Sequence, residues 1–548
     1  MQKSLFTLAF CLLAISFAVA QTKSSTATKA LQPKLVVGIV VDQMRYDYLY
    51  RYYSKYSEGG LKRLMNEGFN CRNHHYDYTP TVTAAGHAAI FTGSVPAIDG
   101  IVGNEWYSQK LGRAVYCVED STVQTVGNDG VAGKMSPRNL LVSTITDQLH
   151  IANNFKSKVI GISLKDRGSI LPAGHSANGA YWFDSKDGAF ITSTFYMNEL
   201  PQWVKDFNAQ KLPQKYIAQG WKTILPIEQY TESTPDDQDY EAKLVGETKP
   251  VFPHEILGTS TLSPLETFRA TPWGNTITKD FALAAIKNEN LGKGQLADFL
   301  TVSFSSTDYI GHAFGPNSIE AEDGMLRLDK DLAEMLDYLD TNIGKGNYLV
   351  FLSADHGVAD VAGFSKQHKV PAGVADLAKI SKEVKEALQK AFGDGEYISS
   401  QDNYQLYLNY TTLSNKKITV SQVYDVIRAT LVKEGGYIAD VVNLHDLRNS
   451  TLPDYQLNAI KNGYNPRRSG DIQLILEANW YSGRSVGTTH GVSYRYDTHV
   501  PFLLYGWGIK KGETSNRTNI TDISPTIADL LSILEPNGAI GKPVVGVK

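Results

Sequence analysis

Cysteine is scarce. There are three in 548 residues, and Cys11 lies in the apolar run that opens the chain, which leaves Cys71 and Cys117. Such a pair allows one disulfide or two buried thiols and excludes a disulfide-built fold. Beyond the first 20 residues, no run reaches the roughly 18 consecutive apolar residues that cross a bilayer. Neither sign of charge is in excess: 53 Lys and Arg face 57 Asp and Glu, a net −4. That balance argues against a nucleic-acid partner or a polyanion-binding surface. No internal repeat or low-complexity tract stands out, and there is no G-x-S-x-G elbow for a metal-independent esterase. His254, in HEILG, lacks the second histidine of a zinc-protease helix.

The opening itself is informative. MQKSLFTLAFCLLAISFAVA has Lys3, an apolar run from Leu5 to Phe17 and the small-x-small step Ala18-Val19-Ala20. This is the pattern of a secretory signal peptide over residues 1–20, so residues 21–548 are expected as an exported mature chain, periplasmic or secreted.

Five short runs rich in Val, Ile, Leu and Phe read as buried parallel strands: LVVGIVV, KVIGISL, FLTVSF, NYLVFLS and VPFLLYG. Helix-like segments alternate with them, which predicts a three-layer α/β/α fold around a mostly parallel sheet. Ligands of such sheets gather beyond the carboxyl ends of the strands. Two stretches interrupt the alternation: a lid-like excursion at about 185–275 and a small α+β subdomain at about 370–480.

The strand ends carry the chemistry. Asp42 follows the first strand, Asp308 and His312 follow FLTVSF, Asp355 and His356 follow NYLVFLS, and His490 precedes VPFLLYG. A lone Asp after a strand is usually a turn or cap residue. Three Asp and three His on one rim instead match the oxygen and nitrogen donors that Zn²⁺ accepts, and six ligands suit two ions. Two-metal sites serve displacement at phosphorus. Three threonines crowd YTPTVTAAGHA, and Thr83 directly precedes AAGHAAIFTG. A hydroxyl there caps a helix, serves as a nucleophile at its positive end, or does both.

VVDQMRYDYL, YTPTVTAAGHAAIFTGSVPAIDGIVGNEW, SLKDRG, STDYIGHAFGP, ADHG, GTTHG and the closing DISPTIADLL resemble, in order and spacing, the alkaline phosphatase superfamily and within it the PafA-type enzymes. The resemblance implies two Zn²⁺ ions, one on Asp308, His312 and His490, the other on Asp42, Asp355, His356 and the Thr83 oxygen. It selects Thr83 as the nucleophile of a phosphothreonine intermediate and leaves Thr79 and Thr81 as turn residues. Asn104 matches a donor to a phosphoryl oxygen. Lys165 and Arg167, in SLKDRG, match a clamp for the dianionic group of a phosphate monoester, since two cations favour a dianion over a monoanionic diester. The alternative within the superfamily is a phosphodiesterase or nucleotide pyrophosphatase. No Cys/Ser-x-Pro-x-Arg stretch supplies a sulfatase nucleophile. His87 is expected to pack or hydrogen-bond beside the ligands without being one of them, and His175 either to help shape the pocket or to sit among aromatic neighbours of the core. His74, His75 and His499, which match no ligand position, are assigned no role.

Overall fold

The computed structural model describes residues 32–548; the expected signal peptide lies outside them. LVVGIVV becomes strand β1, Leu35–Val41, with every residue buried because protein covers both faces. With it, β2 (Phe69–His75), β3 (Thr125–Val126), β4 (Val159–Ser163), β5 (Gly179–Asp184), β6 (Ala189–Ser193), β7 (Asp298–Phe304), β8 (Tyr348–Ser353), β9 (Phe502–Gly506) and β10 (Gly512–Asn519) form one sheet. The spatial order is β10-β2-β9-β8-β1-β7-β4-β5-β6-β3.

The central strands β8, β1, β7, β4 and β5 are parallel, with Val40 beside Ser353, Val41 beside Phe304 and Ser163 beside Ser303. Their carboxyl ends are therefore level and make one rim. VPFLLYG departs from expectation: β9 pairs antiparallel with β8, Phe502 beside Ser353. Its beginning thus lies on the rim where its neighbours end, which is why His490, upstream of the strand, reaches that rim.

Helices flank the sheet in two sets. Helix α1 (Thr83–Thr92) packs with α2 (Asp166–Ala173) and with Ile523–Leu531, while Trp273–Asn288 and α3 (Ser306–Phe314) pack on Ile319–Leu339. Between Ser193 and Asp298 the chain adds no strand to the large sheet among the described residues, and β6 itself falls inside the stretch read as an excursion.

A separate four-stranded antiparallel sheet (Ile398–Asp402, Gln405–Leu408, Ile472–Leu476, Ile438–Asn443) lies within residues 377–476. It packs with Leu377–Phe392 and Val420–Leu431 around a core of its own that includes Leu388, Leu406, Val423, Ile427 and Leu474, an inserted α+β subdomain. Cys71 and Cys117 are free, buried thiols. No helix among the described residues is long and apolar enough to cross a membrane.

Candidate active site

The rim brings the six predicted Asp and His residues together as two groups. Asp308, His312 and His490 each offer a ligand atom within 4.8 Å of the other two, and so do Asp42, Asp355 and His356. In the first group, Asp308 Oδ1 lies 3.1 Å from His312 Nε2 and 3.6 Å from His490 Nε2. In the second, His356 Nε2 lies 3.6 Å from Asp42 Oδ1 and from Asp355 Oδ2. The groups adjoin, since the His356 and His490 rings stack at 3.5 Å.

All three histidines are held alike. Their Nδ1 atoms bond backbone carbonyls: His312 to Thr488 at 2.8 Å, His356 to Gly357 at 2.9 Å and His490 to Thr81 at 2.7 Å. A proton fixed on Nδ1 leaves a lone pair on Nε2, the arrangement of a metal-ligating imidazole. Burial pushes the His356 pKa down to about 4, and burial, then the charges His356 and His312 would carry, lowers that of His490, both shifts favouring the neutral ring. For His312 burial also lowers the pKa, but Asp308 outweighs it and raises the value.

The second group also tests the fit of a cation. Asp42 Oδ1, Asp355 Oδ2 and His356 Nε2 are buried and have no hydrogen-bond partner. Three acceptor-type atoms thus converge without a hydrogen-bond partner, an arrangement that is unfavourable in a dry interior unless a proton or a positive charge joins it. Burial, then the neighbouring Asp42, raises the Asp355 carboxyl far above the usual carboxylate range. The donor set fits a divalent cation.

Lys165 stands between the groups. Its buried ammonium donates to Asp42 Oδ2 at 2.7 Å and to Asp308 Oδ2 at 2.6 Å. Burial would raise the Asp308 carboxyl, but His312 and Lys165 hold it well below the usual range. Arg167 lies at the start of α2, its Nη1 donating to Tyr116 Oη at 3.0 Å while that hydroxyl donates to Asp166 at 2.6 Å. Its Nε is buried without a partner.

Thr83 is buried and is the first residue of α1; Val82 holds the cap position, so the expected capping bond from the threonine side chain is not made. The Thr83 hydroxyl makes no hydrogen bond among the described residues. Asn104 Oδ1 accepts from the Ala84 N–H at 2.9 Å, which sets the amide beside Thr83. The first turn of α1 lies against the second group. A Cβ on Gly86 would overlap the Asp355 carbonyl oxygen, so glycine alone allows this approach. His87 belongs to neither group of candidate ligands but lies beside one, its Nδ1 3.4 Å from Asp355 Oδ2, and it spans the layers, bonding the Thr83 carbonyl and Ser303 Oγ, both at 2.8 Å.

His175 bonds Asp147 and the Leu140 carbonyl, neither of them in the two groups. Thr81 is more than a turn residue: its carbonyl accepts from His490, and its hydroxyl donates to the Val492 carbonyl at 3.0 Å and to Asp497 at 3.2 Å. Buried Asp497 also accepts from the Gly491 and Val492 N–H groups, tying the His490 loop to the approach of Thr83. Gln43, Tyr116 and Asp497 escaped sequence reasoning. Only Gln43 left a signal there, as the neighbour of Asp42.

Comparison with known proteins agrees with this geometry. The type I phosphodiesterase/nucleotide pyrophosphatase family matches residues 36–500. A Myroides odoratus protein named calcium-transporting ATPase is 52% identical, with 94% of this chain and 95% of that protein covered. Alkaline phosphatase PafA of Elizabethkingia meningoseptica is 51% identical, with 94% of each chain covered. A crystal structure of wild-type PafA superposes with a TM-score of 0.91 at 50% identity, covering 94% of this chain and 99% of that one. The chain belongs to the type I phosphodiesterase/nucleotide pyrophosphatase family and, within it, to the PafA-type alkaline phosphatases.

Proposed function

We propose that this alkaline phosphatase is an exported enzyme that hydrolyses small phosphate monoesters through Thr83, with two Zn²⁺ ions as resident cofactors. Asp308, His312 and His490 would hold one ion; Asp42, Asp355, His356 and the Thr83 oxygen would hold the other. The convergence of Asp42 Oδ1, Asp355 Oδ2 and His356 Nε2, buried and without hydrogen-bond partners, carries this reading. When bound, the ions supply positive charge that favours the ionised hydroxyl and the phosphoryl oxygens.

The chain's own residues do the rest. The Thr83 oxygen attacks phosphorus in line and displaces the ester oxygen, giving a phosphothreonine; water then attacks the same phosphorus, restores the hydroxyl and releases inorganic phosphate. Asn104, oriented by the Ala84 N–H, keeps its Nδ2 donors for a phosphoryl oxygen. Arg167, oriented by Tyr116, offers a fork that pairs with two oxygens at once. Lys165 adds a second cation, and together they favour a dianion. The carboxylates keep the ammonium within reach of both groups.

The test is the rate ratio between an aryl monoester and the corresponding diester, measured with metal analysis of the same preparation. Two equivalents of zinc and a strong monoester preference are expected. A diester preference, or full rate without metal, would refute the proposal.

A further inference from the structure

A cavity of about 900 Å³ lies apart from these groups and includes none of their residues. Its lining includes the end of β2 and the residues after it, His75 to Asp77, which run on toward Thr83, and the adjoining stretch downstream of His490, where the Tyr76 N–H donates to the Thr498 carbonyl at 2.9 Å. Arg495, Arg517 and Lys461 line it, all three exposed. Among the described residues none of them has an ion-pair partner, and Arg517 Nε reaches only the Asn519 amide at 3.4 Å. Some exposed cations elsewhere on the chain do pair, as Arg72 does with Glu513 and Lys385 with Glu396.

Three unpaired cations around one concave wall repel one another, and low-dielectric walls focus their field on the space between them. An oxyanion relieves that repulsion, and the two guanidinium forks match its geometry. The space exceeds what a lone phosphate needs. Tyr455 and Tyr494, also in the lining, supply aromatic surface for an organic group, while Asp77, the one acidic side chain among the described lining residues, offsets part of the positive charge. A further cavity of about 450 Å³ shares Asp77, Arg517 and Asn519 with the first.

We propose that this cavity is a second oxyanion site, which takes the phosphoryl group of inorganic phosphate or of an organic phosphate. The ligand is held by Arg495, Arg517 and Lys461, outside the catalytic rim.

Equilibrium dialysis of the metal-loaded protein tests this, with inorganic phosphate and phenylphosphonate as probes. Wild type is expected to take up two equivalents. Arg167→Ala should weaken the one at the catalytic rim, whereas Arg495→Ala/Arg517→Ala should weaken the other tenfold or more and leave kcat/KM for an aryl monoester unchanged. Lys461→Gln should weaken that second equivalent alone. Phenylphosphonate binding more tightly than phosphate there would identify an organic phosphate as the ligand, and equal or weaker binding would identify the free ion. A single equivalent in wild type, or two undiminished equivalents in the double variant, would overturn the proposal.

Discussion

The side-chain amide of Gln43 donates to Asp308 Oδ1 at 2.7 Å, so the residue after one ligand candidate braces another from the opposite group. The Gln43 N–H also donates to Asp355 Oδ1 at 3.0 Å. Gln43 does this in the left-handed region, at φ 64°, where a side chain costs on the order of 1 kcal/mol. The helix of Asp308 makes room for it, since a Cβ on Gly311 would overlap the Gln43 amide oxygen. Gln43→Gly is therefore expected to unfold at the same temperature or slightly higher, yet to lose metal affinity by about 10–100-fold. Competition with a chelator, read as metal content, checks this. Unchanged affinity would show that the brace has no bearing on the ligands.

Thr83→Ala should keep the bound metal and lose turnover by several powers of ten, since a covalent step depends on that oxygen. Thr83→Ser should retain a measurable share. Acid-quenching the wild type with labelled substrate should trap the label on residue 83. Retention of most activity in the alanine variant would end the nucleophile assignment.

Arg167→Ala should lower kcat/KM for an aryl monoester by about 10²–10³-fold and for the diester by much less, because a diester carries one charge where the monoester carries two. Tyr116→Phe, which removes the hydroxyl that Arg167 donates to, should show the same asymmetry in weaker form. Equal losses on both substrates would remove the clamp from the account.

A pH effect should arise away from the rim. Burial alone would lower the His254 pKa, but hydrogen bonds to Glu247 at 2.9 Å and Glu320 at 3.1 Å raise it from 6.5 to about 9. A folded-state value above the unfolded one stabilises fully below about pH 6.5 and is lost as pH rises through about 9. Glu241, pushed up to about 10 by burial and then by Glu320, acts in the same direction. Thermal midpoints should therefore fall between pH 6.5 and 9, and His254→Gln should remove about 3 kcal/mol of that fall. An unchanged slope in the variant would refute this.

Much of the site was legible because its residues follow strands that announce themselves as short apolar runs. Asp42, Asp308 and Asp355 each sit just past such a run, and parallel pairing makes adjacency at the rim a consequence of strand order. Strand direction was not legible: VPFLLYG reads the same whichever way it runs, and only the antiparallel pairing with β8 explains why a histidine ahead of it belongs with residues behind the others. β2 and β10 carry polar residues such as Arg72, Asn73, Glu513 and Asn516 toward the sheet's edge, so neither has the run of a buried strand. Contacts that depend on backbone carbonyls, such as Thr81 to His490, leave no trace in residue type. Tyr116 reaches Arg167 because the hairpin after Asn104 folds back, a distance that spacing along the chain does not give.

The reversal of β9 also bears on how the protein matures. Asp42, Asp355 and His356 are all synthesised before the chain reaches residue 357, whereas the trio of Asp308 and His312 waits for His490, carried into place by a strand near the carboxyl terminus. A growing or prematurely ended chain thus owns one complete set of donors and two-thirds of the other. The trio of donors that includes His490 is completed only once the chain has passed residue 490, long after the other set exists.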